Sequence, residues 1–137
     1  MLRSFERWID AIPQLREHHD WVELNILIVD STAGQRFNRD FRGRDYATNV
    51  LSFPYEPGPG EHTGVLGDIV ICAPVVAREA LAQRKPVRDH FAHMTIHGVL
   101  HLLGYDHETD HDAERMEALE RHILATLGMA DPYALRD

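Results

Sequence analysis

Residues 89–103 read DHFAHMTIHGVLHLL, a stretch with no charged side chain after Asp89. His93, His97 and His101 recur every four residues and His90 stands three before His93, so on a helix all four fall on one stripe. A neutral imidazole buried in such a helix needs both a donor and an acceptor. One such histidine is ordinary core, but a row of them points to metal chemistry. His97 and His101 would project from adjacent turns and reach one ion at about 2.0–2.1 Å. Gly104 lets the chain leave the helix in a left-handed turn, which brings His107 back toward the same point. Three neutral imidazoles leave a fourth position open, as in catalytic rather than structural zinc sites. The donor set favours zinc, nickel or copper over magnesium, and one zinc ion per chain is expected.

The spacing H-x₃-H-x₅-H, with Gly104 third after the second histidine, is the ligand pattern of the metzincin metalloproteases. Taken alone, it allows an amide hydrolase. Those enzymes follow the first ligand with a glutamate that serves as general base, and here the residue is Gly98. Asp106, beside the third ligand, could replace that base or orient His107 from behind, and the second role is preferred. His93 is a candidate auxiliary residue. His111 has acidic neighbours and reads as surface. His18, His19, His62 and His122 carry no supporting pattern. Cys72 ends an apolar run and reads as a small buried hydrophobe, not a ligand.

A second cluster is basic. GQRFNRDFRGRD (34–45) holds Arg36, Arg39, Arg42 and Arg44, the first three at helical spacing. Such a cluster reads as a solvated helical face or as an anion-binding edge. The net charge of the 137 residues is −8, which as a bulk property argues against nucleic acid. The acidity is uneven, however: residues 106–137 carry a net −6 and residues 34–90 a net +1.

The elements that must position these residues follow from periodicity. Ser4 is placed to cap a helix carrying Phe5, Trp8, Ile9 and Ile12, with Pro13 kinking or ending it. WVELNILIVD (21–30) alternates as a strand. Residues 31–42 form a short helix ended near Gly43. NVLSF (49–53) is a strand stopped by Pro54, and PYEPGPGEHTG (54–64) an exposed loop. GVLGDIVIC (64–72) is a strand with Gly67 at a bulge or close approach. Pro74 opens a helix running to about Lys85. Asp89 caps the histidine helix through Leu103, and a last helix runs from near 110–112 to before Gly128. This order is an α+β layout in one domain, 1–137. The lone cysteine excludes an intramolecular disulfide. MLRSFERWIDAIP lacks the apolar core of a signal peptide, and no apolar run reaches the ~18–20 residues of a membrane span. A cytoplasmic protein with no membrane association is expected.

HGVLHLLGYDH (97–107) resembles the HGxLHLxGYDH motif of the YbeY family of bacterial endoribonucleases at every fixed position. FRGRDYATNVLSFPY (41–55) is similar to that family's R-x₅-TN/TD-VLSFP segment, LGDIVIC (66–72) to its LGDI block, and AERMEALERHILATLGMADPY (113–133) to its C-terminal helix and tail. The resemblance implies a zincin-like α+β fold, with a small mixed sheet of about four strands packed with about five helices and the metal site on a helix of the C-terminal half. It implies a metal-dependent, single-strand-directed endoribonuclease acting in ribosomal RNA maturation, at the 3′ end of the small-subunit (16S) RNA, and in ribosome quality control. By position, His97, His101 and His107 would be the metal ligands and Arg42 the catalytic arginine. Arg36, Arg39 and Arg44 would be RNA-backbone contacts, with single-stranded and ribosomal RNA, not DNA, as the partner. An assembly factor with a mainly structural zinc is the remaining alternative.

Overall fold

A computed structural model describes residues 2–18, 22–61 and 63–134. His19 and His62 lie outside the described residues, as does the side chain of His18. The chain runs α1 (Leu2–Asp10), α2 (Pro13–His18), β1 (Glu23–Val29), α3 (Ser31–Arg42), β2 (Val50–Pro54), β3 (Val65–Cys72), α4 (Ala73–Ala82), α5 (Val87–Leu102) and α6 (Asp110–Thr126). The fold class is α+β as expected, but the described residues form three strands and six helices. The extra helix arises at Pro13. With no N–H to continue a helix, it closes α1 and opens α2 as the first residue. Ser4 lies inside α1, two residues past its first residue, and not at a cap position. The three strands are those that the alternation at 21–30, 49–53 and 64–72 predicts; the count of about four came from the family resemblance.

β3 is the central strand, parallel to β1 on one side and antiparallel to β2 on the other. It is buried along most of its length, whereas the edge strands β1 and β2 are half-buried. Gly67 is both a bulge and a close approach. Leu24 pairs with Gly67 directly after Glu23 pairs with Val65, and a Cβ on Gly67 would stand 2.2 Å from the Phe53 carbonyl oxygen.

One face of the sheet packs on α5. Ile69 and Ile71 join Ile96, Val99 and Leu100 in the core, closed by Trp8 and Ile12 on one side and Met116, Ile123 and Leu124 on another. α5 is buried through nearly its whole length, which explains the missing charges after Asp89. Its first residue is Val87 after Pro86, so Asp89 sits in the first turn, where it favours the helix dipole without capping it. α4 ends at Ala82, short of Lys85. Gly104, at φ 102°, makes the left-handed exit after Leu103. On the other face, α3 starts from an Asp30 cap and ends at Gly43, φ 69°. It packs close to the end of β3, where a Cβ on Gly34 would stand 2.9 Å from the buried Cys72 sulfur.

Candidate active site

The exit at Gly104 folds His107 back over the last turn of α5. The rings of His97, His101 and His107 lie 5.4–5.7 Å apart between centroids. One ring nitrogen from each falls within 4.8 Å of the others, so the three can hold one metal ion. Protonation favours this use at His101. Burial first, then the neighbouring His97 and His107, hold its pKa below the ordinary histidine value, against a smaller opposite pull from Asp106. A neutral imidazole is the form that ligates.

Behind the site lies a carboxylate that the motif analysis did not single out. Glu120 of α6 is fully buried. Its Oε2 stands 3.2 Å from His97 Nδ1, and its Oε1 2.6 Å from His93 Nε2 and 2.5 Å from the Tyr133 hydroxyl. A carboxylate only accepts, so each neighbour must donate. His97 then carries its proton on Nδ1, which leaves Nε2 free to ligate. Burial alone would raise the Glu120 pKa; the hydrogen bonds from His93 and His97 outweigh it and hold the group at about 2. Burial and then the Glu120 carboxylate push the Tyr133 phenol far up, so it stays a donor. The sequence does carry a signal for Glu120. It falls on the apolar stripe of α6, four after Met116 and three before Ile123.

The histidine stripe thus divides. His97 and His101 face the site, while His93 and His90 are core histidines partnered by acids. His90 Nε2 lies 2.9 Å from Glu79, which also accepts from the Asn49 amide at 3.0 Å. His111 is exposed and outside the cluster.

The three histidines line a cleft of about 520 Å³ with Arg42, Arg44, Thr48, Asn49, Ser52 and Asp106 among its walls. One wall is the free edge of β2. Arg42, the last residue of α3, reaches across that edge and donates to the Ser52 carbonyl at 2.7 Å, its guanidinium 5.3 Å from the Phe53 ring centroid. That fixes the side chain and leaves further N–H donors for the cleft. Arg44 lines the cleft as well. Arg39 is paired with Asp40 at 3.2 Å, and Arg36 is exposed; neither lines the cleft. Asp106 Oδ1 accepts the Glu108 amide at 3.3 Å, and among the described residues no hydrogen bond joins Asp106 to His107. Its carboxylate faces the cleft.

Position 98 shows why no glutamate follows the first ligand. Gly98 faces the sheet: a Cβ there would stand 3.1 Å from two Ile69 carbons and 3.3 Å from Ser52 Oγ, which itself donates to the Gly98 carbonyl at 3.1 Å. This close approach seats α5 against β2 and β3, and even a Cβ here would have to push Ile69 and Ser52 back by a few tenths of an ångström.

Three comparisons bear on this arrangement. The family model described as "Endoribonuclease YbeY" matches residues 1–128. Curated relatives named Endoribonuclease YbeY include that of Alkalilimnicola ehrlichii, 58% identical over 96% of this chain and 81% of the relative. That of Halorhodospira halophila is 57% identical over 96% of this chain and 86% of the relative. The solution structure of TM1509 from Thermotoga maritima superposes with a TM-score of 0.61 at 24% identity, covering 97% of this chain and 93% of that one, and supports the fold.

Proposed function

The chain belongs to the endoribonuclease YbeY family, and from that premise we propose that it cuts single-stranded ribosomal RNA with one zinc ion held by His97, His101 and His107. The three imidazoles suit zinc in number and type. Bound there, the ion supplies Lewis acidity, which polarises a phosphoryl oxygen and acidifies water. The remaining steps belong to the chain's own side chains. Glu120 keeps His97 in the tautomer that presents Nε2. Arg42, anchored on Ser52, offers its free guanidinium N–H groups to a non-bridging oxygen of the scissile phosphate. These contacts strengthen as negative charge builds in the transition state. Asp106 takes the proton of the attacking hydroxyl at its carboxylate and returns it to the departing ribose oxygen as the scissile P–O bond breaks. Arg44 steadies the strand by its backbone, and Arg36 and Arg39 extend that contact outside the cleft.

The observation that carries this reading is the meeting of a three-histidine centre and an anchored arginine across one cleft. An arginine paired with a Lewis acid suits a phosphodiester better than a peptide, and Gly98 supplies no peptidase base. With a net charge of −8, the chain should bind RNA weakly and in a salt-sensitive way without a carrier. That fits a ribosome-associated enzyme working on the 3′ end of 16S RNA and in ribosome quality control, acting in the cytoplasm as a single domain over 1–137. No helix among the described residues is long and apolar enough to cross a membrane.

The direct experiment replaces Arg42 and His101 separately by Ala and follows cleavage of single-stranded ribosomal RNA at equal zinc. Loss of cleavage by both folded variants is expected. Wild-type cleavage by the His101→Ala protein would overturn the metal-hydrolase reading.

A further inference from the structure

The sheet face turned away from α5 is only partly covered. Its rows follow from the register: Leu51, Val70 and Leu27 lie abreast, and beside them Phe53, Asp68 and Asn25, with Val70 buried and Leu27 and Asp68 exposed. α3 covers the Cys72 end through Gly34 and leaves the Asp68 end open. Between α3 and these rows runs an apolar trough of about 620 Å³, lined by Phe37, Phe41, Phe53, Leu27 and Val70, with Asn25 and Asp68 also in its wall. Phe41 is 61% exposed, an unusual state for a phenylalanine four residues from a stacked partner, Phe37. Its ring meets Phe53 edge to face at 5.3 Å.

Two observations say what covers this trough. The first is continuity. Arg42 follows Phe41 directly, lines the catalytic cleft and lies over Phe53, so trough and cleft are neighbours across one guanidinium. The second is chemistry. Aromatic faces bind bases by stacking whatever the sequence, and basic side chains on the same element track the backbone. Arg36 and Arg39 supply that charge on α3. The Asp68 carboxylate, held by the Asn25 amide at 3.0 Å, repels a phosphate but accepts from the amino group of a base.

We propose that this trough is a base-stacking subsite, in which an unpaired base of the RNA strand lies on Phe41 while the adjoining phosphate is held at Arg42. The inference rests on the nuclease reading above. It gives a physical reason for single-strand preference, because a base paired in a duplex cannot turn out onto the ring.

The test is fluorescence anisotropy with two labelled probes of equal length, a single-stranded RNA and an oligomer with the same sugar-phosphate backbone but no bases. Strand integrity is checked on a gel after each titration. Wild-type protein is expected to bind the base-bearing probe about tenfold more tightly. Phe41→Ala should remove most of that preference and leave binding of the abasic probe unchanged, and Phe41→Trp should keep it. A folded Phe41→Ala protein that retains the full preference, or a wild-type protein without one, overturns the subsite. A preference without any cutting of the RNA upholds the subsite and removes the nuclease reading; cutting without a preference does the reverse.

Discussion

Glu120 ties His97 to His93: one oxygen lies 3.2 Å from His97 Nδ1 and the other 2.6 Å from His93 Nε2. A buried acid thus fixes the tautomer of a proposed metal ligand from a helix that would contribute no ligand itself. Acids placed in this way raise ligand basicity and hold ring orientation. Glu120→Gln keeps the shape but removes the charge, and its amide –NH₂ faces donors. Zinc affinity should fall about 10–100-fold, measured by competition with a chromophoric chelator. Unchanged affinity in a folded variant would show that Glu120 serves packing alone.

Arg42 is held by two contacts, the Ser52 carbonyl and the Phe53 ring. Arg42→Lys retains the charge but cannot hold that carbonyl and offer a fork of donors at the same time. Its kcat should therefore fall close to that of Arg42→Ala, about 10²-fold below wild type. Single-turnover cleavage rates measure this, and full rescue by lysine would mean that Arg42 acts as a point charge.

Gly98→Glu, the substitution that restores the peptidase pattern, should unfold the protein rather than create a base. The side chain would enter the contact with Ile69 and Ser52 and bury a carboxylate, a cost of at least about 3 kcal/mol. Thermal denaturation reads this directly. A stable variant that cuts casein would contradict the packing account.

Stability should fall in acid in two stages. Burial is the largest influence on His90 and His101, and both have folded pKa values below the ordinary histidine value. The unfolded chain then binds more protons as pH drops below about 6.5, so their share of stability declines there. Glu120, held at about 2 when folded, contributes stability that is present above its unfolded value and is lost as pH falls toward 2. The Tm of metal-free protein should thus decline below about pH 6.5 and more steeply below about 4.5. Glu120→Gln should flatten the lower limb. A Tm that stays level down to pH 4 would contradict the histidine assignment, and one that stays level from pH 4 to about 2 would contradict the Glu120 assignment.

Much of this was legible in the sequence because it depends on local spacing. The stripe at 93, 97 and 101, the exit at Gly104 and the return of His107 are set by helix geometry within one segment. Gly67 and Gly43 were legible for the same reason, as backbone positions that favour glycine. What spacing could not show was long-range. Glu120 meets His97 only because α6 packs on α5, and Tyr133 reaches the same carboxylate from the tail. Arg36, Arg39 and Arg42 share a helix face in the sequence, yet of these only Arg42 lines the cleft, joined there by Arg44 from beyond the helix, because α3 ends where β2 presents its edge. The count of about four strands exceeded the three found among the described residues, and the N-terminal helix divided at Pro13. Pro13 decided the second difference, while the strand count came from the family resemblance and not from the alternation, which reads three.

On the proposed function, a metal held by His97, His101 and His107 drives RNA cleavage. The most direct measurement is the cleavage rate of a single-stranded ribosomal RNA fragment before chelation, after chelation, and after one equivalent of zinc is returned. Cleavage should disappear with the metal and return with zinc in the wild-type protein, but not in His101→Ala. An undiminished rate in protein shown by elemental analysis to be metal-free would contradict it.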